Sequence, residues 1–177
     1  MWWWAQAALG ADPWWDAGWT ERSRLSFDND AAIDDVVDLP VLVVLRDGVN
    51  FDHARYDPDE IRFVDADGVT VLPAERDGAT VGGVSRWWVR VPRIDARSTT
   101  DVVWMYYDNP AAEQASDPPA VWRGFDAVFH LERLADSALG LIGDPLDDAT
   151  AVEDGVVGRG YALDGDNDAI AVPGPSG

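Results

Sequence analysis

The sequence predicts an all-β protein built around an antiparallel β-sandwich. Long helical periodicity is missing, while short β-type runs recur between turn signals. The stretch IRFVDADGVTVLP joins two such runs through Asp65-Ala66-Asp67-Gly68, where Gly68 can take the positive φ of a tight hairpin. The chain of 177 residues is 47% hydrophobic and 26% charged, enough apolar material for a packed core.

The expected strands follow in chain order. Arg22–Phe27 comes first, then the continuous apolar run Leu39–Leu45. Ile61–Val64 and Thr70–Ala74 flank the Gly68 hairpin. Between Leu45 and Ile61, FDHARYDPDE holds material for one helical turn, with Asp52 as its N-cap. In Trp87–Val91 and Val102–Tyr107 alternate residues face opposite sides. Trp87, Val89 and Val91 share one face of the first, and Val103, Met105 and Tyr107 share the more apolar face of the second. Weaker strands are expected at Ala127–Leu131, Gly160–Leu163 and Ala169–Val172.

Pro118 and Pro119 are expected to block both helix and ladder, which places a domain boundary near residue 116. The chain then divides into a tail at 1–12, a β-sandwich domain at 13–115 and a segment at 116–177. Three short strands are too few to bury a core of their own, so the last segment either packs on the first domain or opens something longer. The tail contains Ala5-Gln6-Ala7, an A-x-A pattern of the signal-peptidase type, after a short apolar run without a basic flank. A signal-peptide remnant, a misplaced gene start and a floppy tail all fit it.

Thirteen basic residues stand against 33 acidic ones, for a net charge of −20, and every basic residue is Arg. Such a surface repels phosphate backbones and anionic lipids, so neither nucleic acid nor a membrane surface is expected as a partner. Cysteine is absent, which excludes disulfides and thiolate metal sites. No stretch reaches the length of a membrane span, so no direct membrane insertion is expected of these residues.

The stretches LPVLVVL, DEIRFVDADGVTVLP, WWVRVPRI and STTDVVWMYYDNPAA resemble, in order, the motifs of a bacterial domain of unknown function, the DUF 2341 type. That domain is found at the exported N-terminus of some MotA/TolQ/ExbB-class proton-channel proteins and of other large envelope proteins. The likeness covers roughly residues 14–112, and DPWWDAGWTERSRLSF resembles the Trp-rich start of such proteins. The family's YYGN turn is Tyr106-Tyr107-Asp108-Asn109 here, with Asp108 in place of Gly. A second likeness joins AVFHLERLADSALG and GRGYALDGDNDAIAVP to the opening of a laminin-G/concanavalin-like jelly roll. It implies that 116–177 holds the first strands of an incomplete concanavalin-like domain. Together the two likenesses imply an exported protein, periplasmic or on the cell surface, within a larger envelope assembly. They imply no chemistry.

If the strands carrying Trp88 and Trp104 pair, Trp88, Trp104 and Tyr106 lie on one outward face with Arg86 and Arg90 beside them. Rings flanked by guanidinium groups stack on sugars or grip peptides, which makes these five the candidate glycan- or peptide-binding residues. The alternative is that a second sheet or domain covers the rings as sandwich core. Asp164, Asp166 and Asp168 have the spacing of a calcium loop's first ligands, but Ala169 and Pro175 stand where its Gly and closing Glu belong. A looser calcium site between strands and a polar turn are the two readings left; otherwise no cofactor is expected.

No catalysis is expected. Among 33 carboxylates some pair always reaches glycosidase-like spacing. His53 falls in an expected loop and His130 in an expected strand, and no G-x-S-x-G elbow occurs. The expected function is non-catalytic recognition or spacing outside the cytoplasm. The rivals are a purely structural spacer and an accessory fragment of a carbohydrate-active enzyme.

Overall fold

The computed structural model describes residues 14–153, 155 and 157–174. The expected tail at 1–12, with its Ala5-Gln6-Ala7 pattern, lies outside them. The fold is an antiparallel β-sandwich. One sheet orders β1 (Glu21–Ser26), β6 (Val102–Tyr107) and β3 (Arg62–Asp65). The facing sheet orders β2 (Val36–Arg46), β5 (Val84–Ile94) and β4 (Ala74–Arg76). Register sets Met105 opposite Ser23 and Phe63 in the first sheet, and Val89 opposite Val41 and Ala74 in the second. The core between the sheets takes the inward faces expected from alternation, Val103 and Met105 from one and Trp87, Val89 and Val91 from the other, and Phe63 and Leu45 join them.

The hairpin forms at Asp65–Gly68, with Gly68 at φ 69°. Asp67 caps it, accepting the Val69 and Thr70 amides at 2.8 Å each and the Thr70 hydroxyl at 2.6 Å. The Thr70 hydroxyl and amide hydrogen bonds hold its carboxyl below the usual Asp range. The expected strand Thr70–Ala74 is divided. Val71 bridges Val64 in the first sheet, the chain crosses at Pro73, and β4 begins at Ala74 in the second. Pro73 has no N–H to continue a ladder, so the crossing falls there. The helical turn in FDHARYDPDE lies at Pro58–Glu60 and is capped by Asp57 rather than Asp52. Asp108 takes φ 67°, the left-handed conformation that a Gly in this turn would adopt freely and that Asp tolerates.

The prolines at 118 and 119 start a helical turn instead of blocking one. They occupy the first positions of α1 (Pro118–Val121), where a helix needs no N–H, and Asp117 caps it by accepting the Ala120 amide. The strand expected at Ala127–Leu131 is reduced to an isolated bridge from Phe129 to Asp136, since Leu131 turns the chain at φ 62°. The remaining strands form two separate ribbons, β7 (Asp144–Leu146) with β10 (Ala169–Ala171) and β8 (Thr150–Val152) with β9 (Gly160–Ala162). No helix among the described residues is long and apolar enough to cross a membrane.

Two-stranded ladders of three residues are marginal by themselves. The β7–β10 ribbon is mostly exposed, whereas β5 and β6 contribute the most buried residues of any strands. Amides of 144, 146 and 169–171 are therefore expected to exchange by local opening, orders of magnitude faster than Val89 and Met105. Hydrogen exchange read by mass spectrometry checks this, and protection of the ribbon equal to that of β5 would contradict it.

Candidate functional site

The five residues expected to form a binding platform do not share a face. The pairing that would bring them together is absent: Trp88 lies on β5 in one sheet, and Trp104 and Tyr106 lie on β6 in the other. Both sets point away from the central core, so they occupy opposite outer faces, and each face is covered. Trp104 and Tyr106 are 8% and 0% exposed. The Trp-rich start folds back over them, with Trp19 buried in the same cluster and Trp15 against it. The Trp15 amide donates to the Tyr106 hydroxyl at 3.0 Å, and the Arg22 guanidinium sits 4.1 Å over the Trp104 ring. Those two rings are a second, smaller core.

Arg90 is likewise structural. Its side chain is 8% exposed and forms a fork to Asp38 at 2.5 and 2.6 Å. Its remaining nitrogen donates to the carbonyls of Val121 and Arg123, which locks the end of α1 onto β5. The Arg90 hydrogen bonds bring the Asp38 carboxyl down to about 2. Arg86 is half-buried, with its guanidinium beside Gly158.

Trp88 is the one ring of the five that borders a cleft. Opposite it in register stands Glu75, outward-facing on β4 and 5% exposed. A carboxylate that deep requires donors. It accepts His130 Nε2 at 3.0 Å, Ser137 Oγ at 2.5 Å and Trp122 Nε1. Burial alone would raise the Glu75 pKa, but the His130, Ser137 and Trp122 hydrogen bonds outweigh it and hold the carboxyl below its usual range. Burial would lower His130, and the bond to Glu75 overcomes it and raises the imidazole. Trp88 stacks on His130 at 5.5 Å and 16°, and meets Trp122 edge-on at 5.2 Å. This knot binds residues 122–137 to the outer face of the second sheet, across the boundary expected at 116.

Two clefts open beside it, of about 820 and 400 Å³. Asp77, His130 and Arg159 line both, so they mark the junction. Trp88, Phe129 and Tyr161 wall the smaller one, while Glu132, Arg133 and Asp136 line the larger. Asp77 is 7% exposed and accepts Trp88 Nε1 on Oδ2 at 3.1 Å. Neither Asp77 nor Glu75 was legible as a site residue. Each follows Pro73 in a short polar run, and the pairing of β4 with β5 that sets Glu75 opposite Trp88 is not a local property of either strand.

Both histidines have serine neighbours. His53 Nε2 lies 2.9 Å from Ser85 Oγ, and its Nδ1 lies 3.7 Å from Asp47. The atoms follow the order of a hydrolase relay, but Ser85 is wholly buried in β5, where no substrate carbonyl can reach it. Ser137 borders the larger cleft, yet its hydroxyl is bonded to Glu75 rather than to His130. Among the described residues no group of three or more His, Asp or Glu is placed to hold a metal ion. Asp164, Asp166 and Asp168 do not converge as the calcium spacing suggested. Asp168 accepts the Asp148 and Asp164 amides, and Asp164 accepts the Asp166 amide, so the stretch is a self-bonded polar turn.

No curated protein and no solved structure matches the chain. The stretch at 57–136 spans β3 to β6, α1 and the Glu75 knot except Ser137, and it matches the model of a family described as a domain of unknown function (DUF2341), to which this part of the chain is similar.

Proposed function

We propose that this chain is a non-catalytic recognition domain of a larger bacterial envelope protein, acting outside the cytoplasm and joined to a TolQ/ExbB-type proton channel. One observation carries the recognition part: two clefts meet at a buried carboxylate, an imidazole and a guanidinium, with three aromatic rings on their walls. Volumes of this order suit small-ligand and oligomer sites, and mixed polar and aromatic linings give orientation and contact area. The envelope part rests on the ordered motifs and on the Trp-rich start, which serves here as the cover of an outer sheet face. The absence of catalysis rests on Ser85, which is sealed, and Ser137, which is bonded to Glu75.

The test uses the purified chain against a panel of envelope polysaccharides and peptides. Saturable binding is expected, weakened by Arg159→Ala at the junction, with no release of reducing ends or amines. Turnover abolished by a single carboxylate substitution would overturn the non-catalytic reading. Binding indifferent to Arg159→Ala would move the site elsewhere.

A further inference from the structure

Resting on that recognition reading, we infer that the ligand is a neutral, hydroxyl-rich glycan chain laid across the cleft junction, with Asp77 as its anchoring acceptor. Asp77 is buried, yet only Oδ2 has a protein donor among the described residues, the Trp88 indole N–H. Oδ1 is not sealed off: it stays open to solvent where the residue borders both clefts, so a ligand can reach it. A ligand hydroxyl can replace that solvent contact, since sugar hydroxyls make short, charge-assisted bonds to carboxylates. The half-buried rings of Phe129 and Tyr161 on the adjoining wall suit the C–H faces of sugar rings.

The surroundings disfavour other ligand classes. A net charge of −20, with Glu132 and Asp136 in the same cleft, opposes anionic chains. Arg133 and Arg159 at its borders oppose cationic ones. An extended peptide needs a free sheet edge to supply its ladder. β4 is the edge strand here, but its outer side is already taken. The Asp117 amide donates to the Ala74 carbonyl at 2.8 Å, and the Arg76 amide donates to Ser116 Oγ at 3.0 Å.

Calorimetric titration with neutral hexasaccharides of glucose, mannose and N-acetylglucosamine tests this, alongside hexagalacturonate and a decapeptide pool. At least one neutral hexasaccharide is expected to saturate the protein. Asp77→Asn keeps an acceptor for Trp88 but loses the free carboxylate oxygen, and is expected to weaken that binding about ten- to hundred-fold. Tyr161→Ala, on a half-buried wall, serves as a second variant should Asp77→Asn fail to fold. Arg97→Ala, on an exposed turn, is expected to leave binding unchanged. Binding of hexagalacturonate or peptide that Asp77→Asn abolishes would overturn the glycan inference and leave the cleft reading standing. Neutral-sugar binding indifferent to Asp77→Asn, Tyr161→Ala and Arg159→Ala, or no binding by any probe at millimolar concentration, would overturn both.

Discussion

Replacing Trp104 with alanine is expected to destabilise the protein by about 3–5 kcal/mol, the cost of a large aromatic removed from a closed site. The ring lies on the outer face of its sheet, where an exposed residue would cost about 0.5 kcal/mol or less. It is 8% exposed because Trp19 and Trp15 pack over that face and Arg22 lies on the ring. The loss would combine a cavity among rings with the loss of a cation–π contact. Met105→Ala, on the inward face of the same strand, is the comparison, and about 2–5 kcal/mol is expected for it. Chemical denaturation of the two variants measures both. A Trp104→Ala cost under about 1 kcal/mol would mean that the Trp-rich start does not hold the outer face closed.

That pair of residues also shows where the sequence was legible. Alternation within β5 and β6 assigned Trp87, Val89, Val91, Val103 and Met105 to the core, because side-chain direction in a strand is a local property. The hairpin was equally legible, since Asp67 and Gly68 act within a few residues of each other. Which strands neighbour one another is not local. Trp88 and Trp104 were placed on one face by assuming that β5 pairs β6, whereas β5 pairs β2 and β4. Outward rings also read as a surface when the residues that cover them lie far off in sequence. Tyr106 accepts from the amide of Trp15, and Trp88 stacks on His130. The junction residues were missed for the same reason: Asp77, His130 and Arg159 lie on three segments that only tertiary packing brings together. The double proline misled in a different way. Proline ends a helix from inside but suits its first turn, and the Asp117 cap was the local sign of the second case.

Glu75→Ala is expected to cost about 3–5 kcal/mol, as removal of one partner from a buried charged pair does. It would strand the Trp122 indole N–H, the Ser137 hydroxyl and the His130 imidazole at once. Glu75→Gln keeps an acceptor at one oxygen and loses the charge, so a smaller loss is expected, together with loss of the pair's pH dependence. The sign of that dependence follows from the two shifts. The folded pKa of His130 is raised, so its contribution is complete below the ordinary value of 6.5 and is lost as pH rises through the folded value. That of Glu75 is depressed, so its contribution is present above 4.5 and is lost as pH falls through the folded value. The difference in stability between the native chain and Glu75→Gln is therefore expected to be greatest between pH 4.5 and 6.5 and to shrink on either side. Denaturation midpoints of both proteins across that range measure it, and taking the difference cancels the self-repulsion of the other acidic groups. A difference that stays flat from about pH 4 to 8, a range that takes in the ordinary titration of both Glu and His, would mean that Glu75 holds residues 122–137 as a neutral hydrogen-bond acceptor and not as the charged partner of His130.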